Sequence, residues 1–428
     1  MAYIFSAIQY IMDLGAAIFL PIMITILGLV FGLKFFESLR NGLRIGAGFL
    51  GISITLDLLI GGMSPAIEYY SALGEGGFTV TDIGWQGISA IAWSTSYALI
   101  FVPIALVLNF ILIRLRFTKT MDVDIWDYFH FFLGSSICYY VLKLAGIAEV
   151  PAFVIGLLVG IATFIVTLKL ADKLAPKWQE HYNLPGTTCC NFDAYYMWAI
   201  NWVVCKVIDK IPGLNKINLN LKWLNDRFGA LGETSVVTFI VGVLLSLLTR
   251  QNLTNTLTMS ITLSAAIVIM PKVIGLLMEG LVPVSNAARK FFKKRLGDDY
   301  EINIGMDQAL CLGDPVGIEC AAIMIPIAIA ISFLPGITMF PLSGLGSLIY
   351  FTCACSLFAK GDIFKTLLST SFCIFYTYEI DSWMAPLITQ IGVQAGYISD
   401  ASTLISGAEV EEFHCVLVAL LGKILRAW

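Results

Sequence analysis

Asn303-Ile-Gly-Met-Asp307-Gln308-Ala-Leu-Cys-Leu-Gly-Asp314-Pro-Val-Gly-Ile-Glu319-Cys-Ala-Ala-Ile-Met-Ile-Pro326 decides the reading of this chain. Three acids stand between strongly apolar flanks, and Gly305, Gly313, Pro315 and Gly317 break any continuous helix. In a membrane protein, broken backbone beside carboxylates is tolerated only where protein or a wet cavity surrounds it. Ionisable groups at that depth are candidates for function. The plainer alternative is a cytoplasmic loop with solvated acids.

The surrounding sequence favours the membrane. The chain has 428 residues, 58% hydrophobic and 13% charged, about half the charged fraction of a soluble protein. Repeated apolar runs predict an all-α integral membrane protein, a polytopic bundle of about ten or eleven spans. Apolar runs lie near 14–32, 45–60, 86–113, 131–144, 154–168, 236–248, 257–277, 318–334, 345–358 and 363–376, with a modest one at 195–207 and a short last one at 413–428. The net charge of −4 and the lack of a basic tract give no sign of nucleic-acid binding. The ten cysteines lie mostly inside apolar runs and read as small core residues. Cys189-Cys190 is no metal or redox motif, three histidines make a poor metal site, and no cofactor is implied. The first segment has no basic n-region, so no cleavable leader is expected.

Basic residues cluster at alternate ends of successive spans: 34–44, 114–119, 169–227, 289–295 and 360–365. The positive-inside rule puts these on one side, the cytoplasm, with the N-terminus outside. The loops at 61–84, 146–152, 335–342 and 392–412 carry almost no Lys or Arg.

Two stretches resemble each other. Pro65, Asp82-Ile-Gly-Trp85-Gln86 and Val102-Pro103-Ile-Ala match Pro283, Asn303-Ile-Gly-Met-Asp307-Gln308 and Ile325-Pro326-Ile-Ala. By the charge pattern the Pro103 and Pro326 spans run in opposite directions. The expectation is an inverted repeat, residues 1–220 and 221–428, with re-entrant hairpins near 78–95 and 303–317. Such broken segments in corresponding positions point to a transporter's binding site.

A site for a polyhydroxylated solute needs carboxylates and amides for hydroxyls and aromatic faces for C–H surfaces. Trp85, Trp126, Asp127, His130, Thr187, Thr188, Gln308 and Asp314 are candidate binding residues. Asp307 is the candidate catalytic residue, a dehydrated carboxylate able to accept a hydroxyl proton. Each has a plainer use: the tryptophans suit an interfacial belt, His130 an interhelical hydrogen bond, and the threonines a helix cap.

The chain resembles the galactitol-type EIIC permease of the bacterial phosphotransferase system, in the ascorbate–galactitol superfamily. The resemblance rests on Tyr10-Ile-Met-Asp-Leu-Gly15 and Val123-Asp-Ile-Trp126, then Lys210-Ile-Pro-Gly-Leu-Asn-Lys-Ile217 and Arg227-Phe-Gly-Ala-Leu-Gly-Glu233. It continues through Met270-Pro-Lys-Val-Ile274 and Ile304-Gly-Met-Asp-Gln-Ala-Leu310. It implies a homodimer in the bacterial inner membrane, embedded among lipids. It also implies a cytosolic EIIB that donates a phosphoryl group from a phosphocysteine, with EIIA upstream, and a permease that is not itself phosphorylated. An aspartate of the second hairpin touches substrate in the related ascorbate permease, and by pattern this is Asp307. Two departures bear on the substrate: Pro185-Gly-Thr-Thr188 stands where a Pro-His-Gly-Thr-Ser stretch is usual, and Leu312-Gly-Asp314 where Leu-Gly-His is. Two other readings stay open. One is a proton-coupled polyol symporter using Asp57, Asp307 and Glu319; the other is a membrane enzyme acting on a lipid-linked sugar.

Overall fold

The computed structural model describes residues 16–74, 78–93, 95–217, 219, 234–297, 301–341, 343–395 and 398–428. In chain order the first elements are α1 (Ala16–Val30), α2 (Phe35–Gly74), β1 (Val80–Asp82), α3 (Gly84–Trp93), α4 (Ser96–Arg114) and β2 (Thr120–Asp122). Then come α5 (Ile125–Leu144), α6 (Glu149–Tyr182), β3 (Thr187–Cys189), α7 (Asp193–Lys210), α8 (Thr234–Leu248) and α9 (Leu253–Leu296). The last are β4 (Asn303–Met306), α10 (Pro315–Ser332), α11 (Gly344–Ala359), α12 (Ile363–Gln394), β5 (Leu404–Ser406) and α13 (Phe413–Ile424).

The expected helical frame is present. Helices α4, α6 and α10 are long and apolar enough to cross a membrane, and shorter apolar helices include Gly344–Ala359 and Phe413–Ile424. Among the described residues five short strands are added to this frame, forming two small parallel sheets. The 303–326 stretch opens as strand β4, tightens into a 3-10 turn at Gln308–Gly313, and becomes helical only at α10. Pro315 takes the first turn of α10, where a missing N–H costs nothing.

The chain divides into two compact units. Unit 1 comprises Met1–Ser53, Ala92–Phe192 and Lys272–Leu310; unit 2 comprises Ile54–Ile91, Asp193–Pro271 and Cys311–Trp428. The units interleave along the chain.

In unit 1, α6 lies closely on α5. A side chain at Gly160 would meet the Phe131 carbonyl oxygen at 2.9 Å, so the missing Cβ lets the helices approach. Phe101, Phe131 and Phe164 fill the seam, with Phe131 and Phe164 edge to face at 5.1 Å. The opposite face of α6 leaves Val150, Val154, Ile155, Leu158 and Val166 exposed. A helix apolar on both faces suits protein on one side and lipid on the other.

Unit 1 also holds the three-stranded sheet, ordered β2-β4-β3. Asp122 pairs with Gly305, which pairs in turn with Thr188. Gly305 sits where three strands converge. A Cβ there would strike the Cys190 Sγ and come within 2.9 Å of the Asp122 Cα. Polar side chains pin the outer strands. Asp172 on α6 accepts from the Lys119 N–H and from the Thr118 and Thr120 hydroxyls at 2.9–3.0 Å. Asn109 donates to the Thr120 carbonyl and accepts from the Asp122 N–H, both at 2.9 Å. Gln179 reaches both the Thr187 carbonyl and the Asn303 side chain at 3.0 Å.

In unit 2, α7, α11 and α12 are joined by interhelical hydrogen bonds. Trp198 donates its indole N–H to the Ala354 carbonyl at 3.0 Å, and Asn201 donates to Ser369 at 2.9 Å while accepting from the Phe358 N–H. Strands β1 and β5 pair in parallel, Asp82 opposite Ser406. Helix α12 runs to Gln394, well beyond the span expected to end at Tyr376, because Asp381 is buried within it and not in a loop.

Candidate functional site

The sheet of unit 1 gathers polar residues at one edge. Its strands are parallel, so the residues following them emerge together: Asp124 after β2, Asn191 after β3 and Asp307 after β4. Ligands of parallel sheets characteristically bind beyond the carboxyl ends of the strands.

These residues hold one another. Asp307 Oδ2 accepts from the Asn191 side-chain amide at 2.8 Å, and Oδ1 accepts from the Ala309 N–H at 2.6 Å. The Asp307 N–H donates to Asp124 Oδ2 at 3.2 Å. Asp124 Oδ1 accepts from the Trp126 N–H at 3.1 Å, which caps α5. Asp122 Oδ1 accepts from the Asp124 N–H at 3.2 Å. Asp122, Asp124 and Asp307 are thus linked, and the buried Asp127 has a carboxylate oxygen within 4.8 Å of one of Asp122, so the four belong to one group.

Their donors are unevenly shared. Asp307 and Asp124 have donors on both oxygens. Asp127 is fully buried, and among the described residues no donor reaches either of its oxygens, Asp122 Oδ2 or Gln308 Oε1; the Asp122 and Asp127 carboxyls are close enough to share a proton. Unmet acceptors are costly in a protein interior, and hydroxyl groups of a bound solute would supply the missing donors. Asp122, Asp127 and Cys190 also bring one potential metal-ligating atom each within 4.8 Å of one another. Cys190 Sγ, however, packs where a Gly305 side chain would stand, which gives it a structural use.

The structure sorts the sequence candidates. Asp307, Asp127 and Gln308 come together in unit 1, with Trp126 half-buried at the start of α5 and its ring edge-on to Phe129. His130 is buried one turn further along. Thr187 and Thr188 are buried in β3 and committed to the frame. Thr187 donates to the Leu184 carbonyl and accepts from the Trp178 indole N–H; Thr188 donates to the Ala171 carbonyl. They therefore lie in a strand, where a helix cap was the plainer expectation. Trp85 and Asp314 belong to unit 2. Asp314 caps α10, its Oδ2 accepting from the Gly317 N–H at 2.7 Å. Of the acids named for a proton relay, Glu319 is buried in α10, while the Asp57 side chain lies outside the described residues.

Asp122, Asp124 and Asn191 were missed. The visible signal was the run Asp122-Val-Asp124-Ile-Trp-Asp127, three acids entering an apolar helix. Asn191, behind two cysteines, offered no comparable sign.

Apolar helices with lipid-suited outer faces and a buried, acceptor-rich group define a membrane permease for a polar solute. The chain belongs to the EIIC-GAT family, the sugar-specific permease component of the phosphotransferase system, which it matches over residues 10–402. It is 29% identical over 397 residues to the "PTS system galactitol-specific EIIC component" of Escherichia coli strain K12, covering 91% of this chain and 85% of that protein. The protein of the same description from strain O157:H7 matches equally. A "Putative permease IIC component" of strain K12 is 28% identical over 390 residues, covering 91% and 87%. The expected resemblance to a galactitol-type permease holds, and neither the symporter nor the lipid-linked-sugar enzyme is favoured.

Proposed function

We propose that this permease carries a galactitol-like polyol across the bacterial inner membrane and releases it as a phosphate ester. The observation that carries this reading is the buried carboxylate group at the strand ends, with the unmet acceptors of Asp127 and Asp122 suited to several hydroxyls at once. Two relatives described as galactitol-specific support the polyol. Asp127, Asp122 and Gln308 accept hydrogen bonds from the solute, Trp126 borders its carbon frame, and Asp307 takes the proton of the hydroxyl being phosphorylated. The phosphoryl group comes from a cysteine of cytosolic EIIB, itself charged through EIIA. Since phosphoryl transfer rests mainly on positioning and electrostatics, the permease needs no covalent step. The working form is a homodimer.

The test is uptake in vesicles. Labelled galactitol should accumulate as its phosphate only when phosphoenolpyruvate and the soluble phosphotransferase proteins are present. Accumulation of unmodified polyol driven by a proton gradient alone would reject the reading.

The inverted repeat belongs to the same proposal. Support comes from the local pattern: a short parallel strand precedes Gly84 and Asp307, and each copy continues into a helix with an internal proline, Pro103 in α4 and Pro326 in α10. Residues 78–95 and 303–317 would be the re-entrant hairpins. Sidedness tests it. A cysteine replacing exposed Thr403 should react with an impermeant thiol reagent from outside, and one replacing exposed Lys294 only from inside. All ten native cysteines are buried, so the background is low. Gly76, in the other basic-poor loop, lies outside the described residues. Labelling of both positions from one side would contradict the orientation.

A further inference from the structure

Unit 2 contains a second buried polar group, which the permease reading does not use. Tyr378 and Asp381 stand in the middle of α12, 4% and 1% exposed. Among the described residues neither Asp381 oxygen has a hydrogen-bond partner, and the Tyr378 hydroxyl has none either. Both residues line a small cavity of about 10 Å³, together with Asp82, Thr377 and apolar side chains. One water needs about 10–15 Å³ on this scale, so the space suits a single particle of that size.

The neighbouring carboxylates are differently provided for. Asp82 Oδ1 accepts from the Gly84 N–H at 2.8 Å, and Oδ2 accepts from the N–H groups of Ser343 and Gly344 at 2.8 and 2.9 Å. Glu411 accepts from the Tyr196 and Thr377 hydroxyls at 3.0 and 3.2 Å and from the Glu409 N–H at 2.6 Å. Asp381 has no such donor. A buried carboxylate without donors must be neutralised, by a proton of its own or by a cation beside it.

We propose that this cavity binds a monovalent cation of sodium size, with Asp381 as its principal ligand. The polar groups lining it are carboxylates and hydroxyls, with no imidazole or thiol among them. An all-oxygen set selects hard cations over transition metals. Magnesium retains several waters, and calcium takes about six to eight oxygens; a one-particle cavity has room for neither. A proton on Asp381 would meet only one of its oxygens and needs no cavity.

The experiment uses the full-length protein in lipid nanodiscs, at constant ionic strength and at two pH values. The probe is sodium chloride against choline chloride, with calcium chloride as a third arm. Sodium should raise the unfolding midpoint in a saturable way, as expected of a ligand that binds only the folded state, and labelled sodium should bind at one site per chain. Asp381→Asn, which keeps the side-chain shape, should abolish both effects; Tyr378→Phe should weaken sodium binding. Equal midpoints in sodium and choline would overturn the proposal. So would a midpoint that follows pH with no preference among cations, a response to calcium alone, or sodium binding retained by Asp381→Asn. If Asp381→Asn fails to fold, sodium binding by the wild type and by Tyr378→Phe still decides. The readout is binding and stability, so its failure is distinct from failure of the phosphotransferase reading.

Discussion

Replacing Asp307 with asparagine should leave polyol binding within about tenfold of wild type while coupled phosphorylation falls by ~10²-fold or more. The first figure follows from the value of one neutral hydrogen bond, roughly 0.5–1.5 kcal/mol. The second is the usual loss when general-base help is removed. The variant should fold, because its partners can adapt. The Ala309 N–H keeps an oxygen to donate to, and Asn191 can turn its amide to accept from the new one. Equilibrium binding of labelled polyol and phosphate-ester formation with charged EIIB separate the two effects. Equal loss of both would make Asp307 a binding residue only, and no loss of either would remove it from the site. Asp127→Asn should behave in the opposite way, weakening binding first, since Asp127 holds the unmet acceptors. Asp314→Asn is the control. Asparagine caps a helix about as well as aspartate, so α10 and phosphorylation should stay near normal. A dead Asp314→Asn beside an active Asp307→Asn would overturn the assignment.

Gly305→Ala should destabilise the protein by about 1–3 kcal/mol, the cost typical of forcing extra atoms into a packed core. Substrate binding should be lost with it. The new methyl would meet the Cys190 Sγ and, at 2.9 Å, the Asp122 Cα. The sulfur can be removed but the backbone cannot, so Cys190→Ala in the same chain should recover part of the stability and not all of it. Gly305→Val should be worse than alanine. Thermal unfolding of the single and double variants measures the coupling. A Gly305→Ala protein that unfolds like wild type would mean that β2 and β4 do not approach as described.

The helical frame was legible because each span carries its own signal. Apolar runs end in basic clusters, and α1, α8, α10 and α11 begin and end within a few residues of the expected bounds. Helix α12 runs on past the expected end at Tyr376 to Gln394, through Glu379 and a buried Asp381; that burial is invisible in sequence. The carboxylate group was legible in part. Asp307, Gln308 and Asp127 drew notice as acids and amides beside apolar segments, and they do come together. Asp314 drew the same notice and is a cap. Strands of three or four residues are too short for a two-residue periodicity to register. Nothing local therefore announced that residues near 120, 187 and 303 share a sheet, or that Asn191 would reach Asp307.

That sheet also fixes an order of events during biogenesis. Its central strand, β4, is the last of the three to be synthesised, and β2 and β3 bond to it and not to each other. A nascent chain could therefore insert every helix through α9 and still have no paired strand at this place. Residues 120–122 must wait for residues 303–306, a long-range closure of the kind that slows folding. Until then the aspartates following β2 have no partner arriving from β4. Assembly of the carboxylate group is a late step in maturation, and a protein halted before residue 303 would be a membrane-inserted chain with that group unassembled.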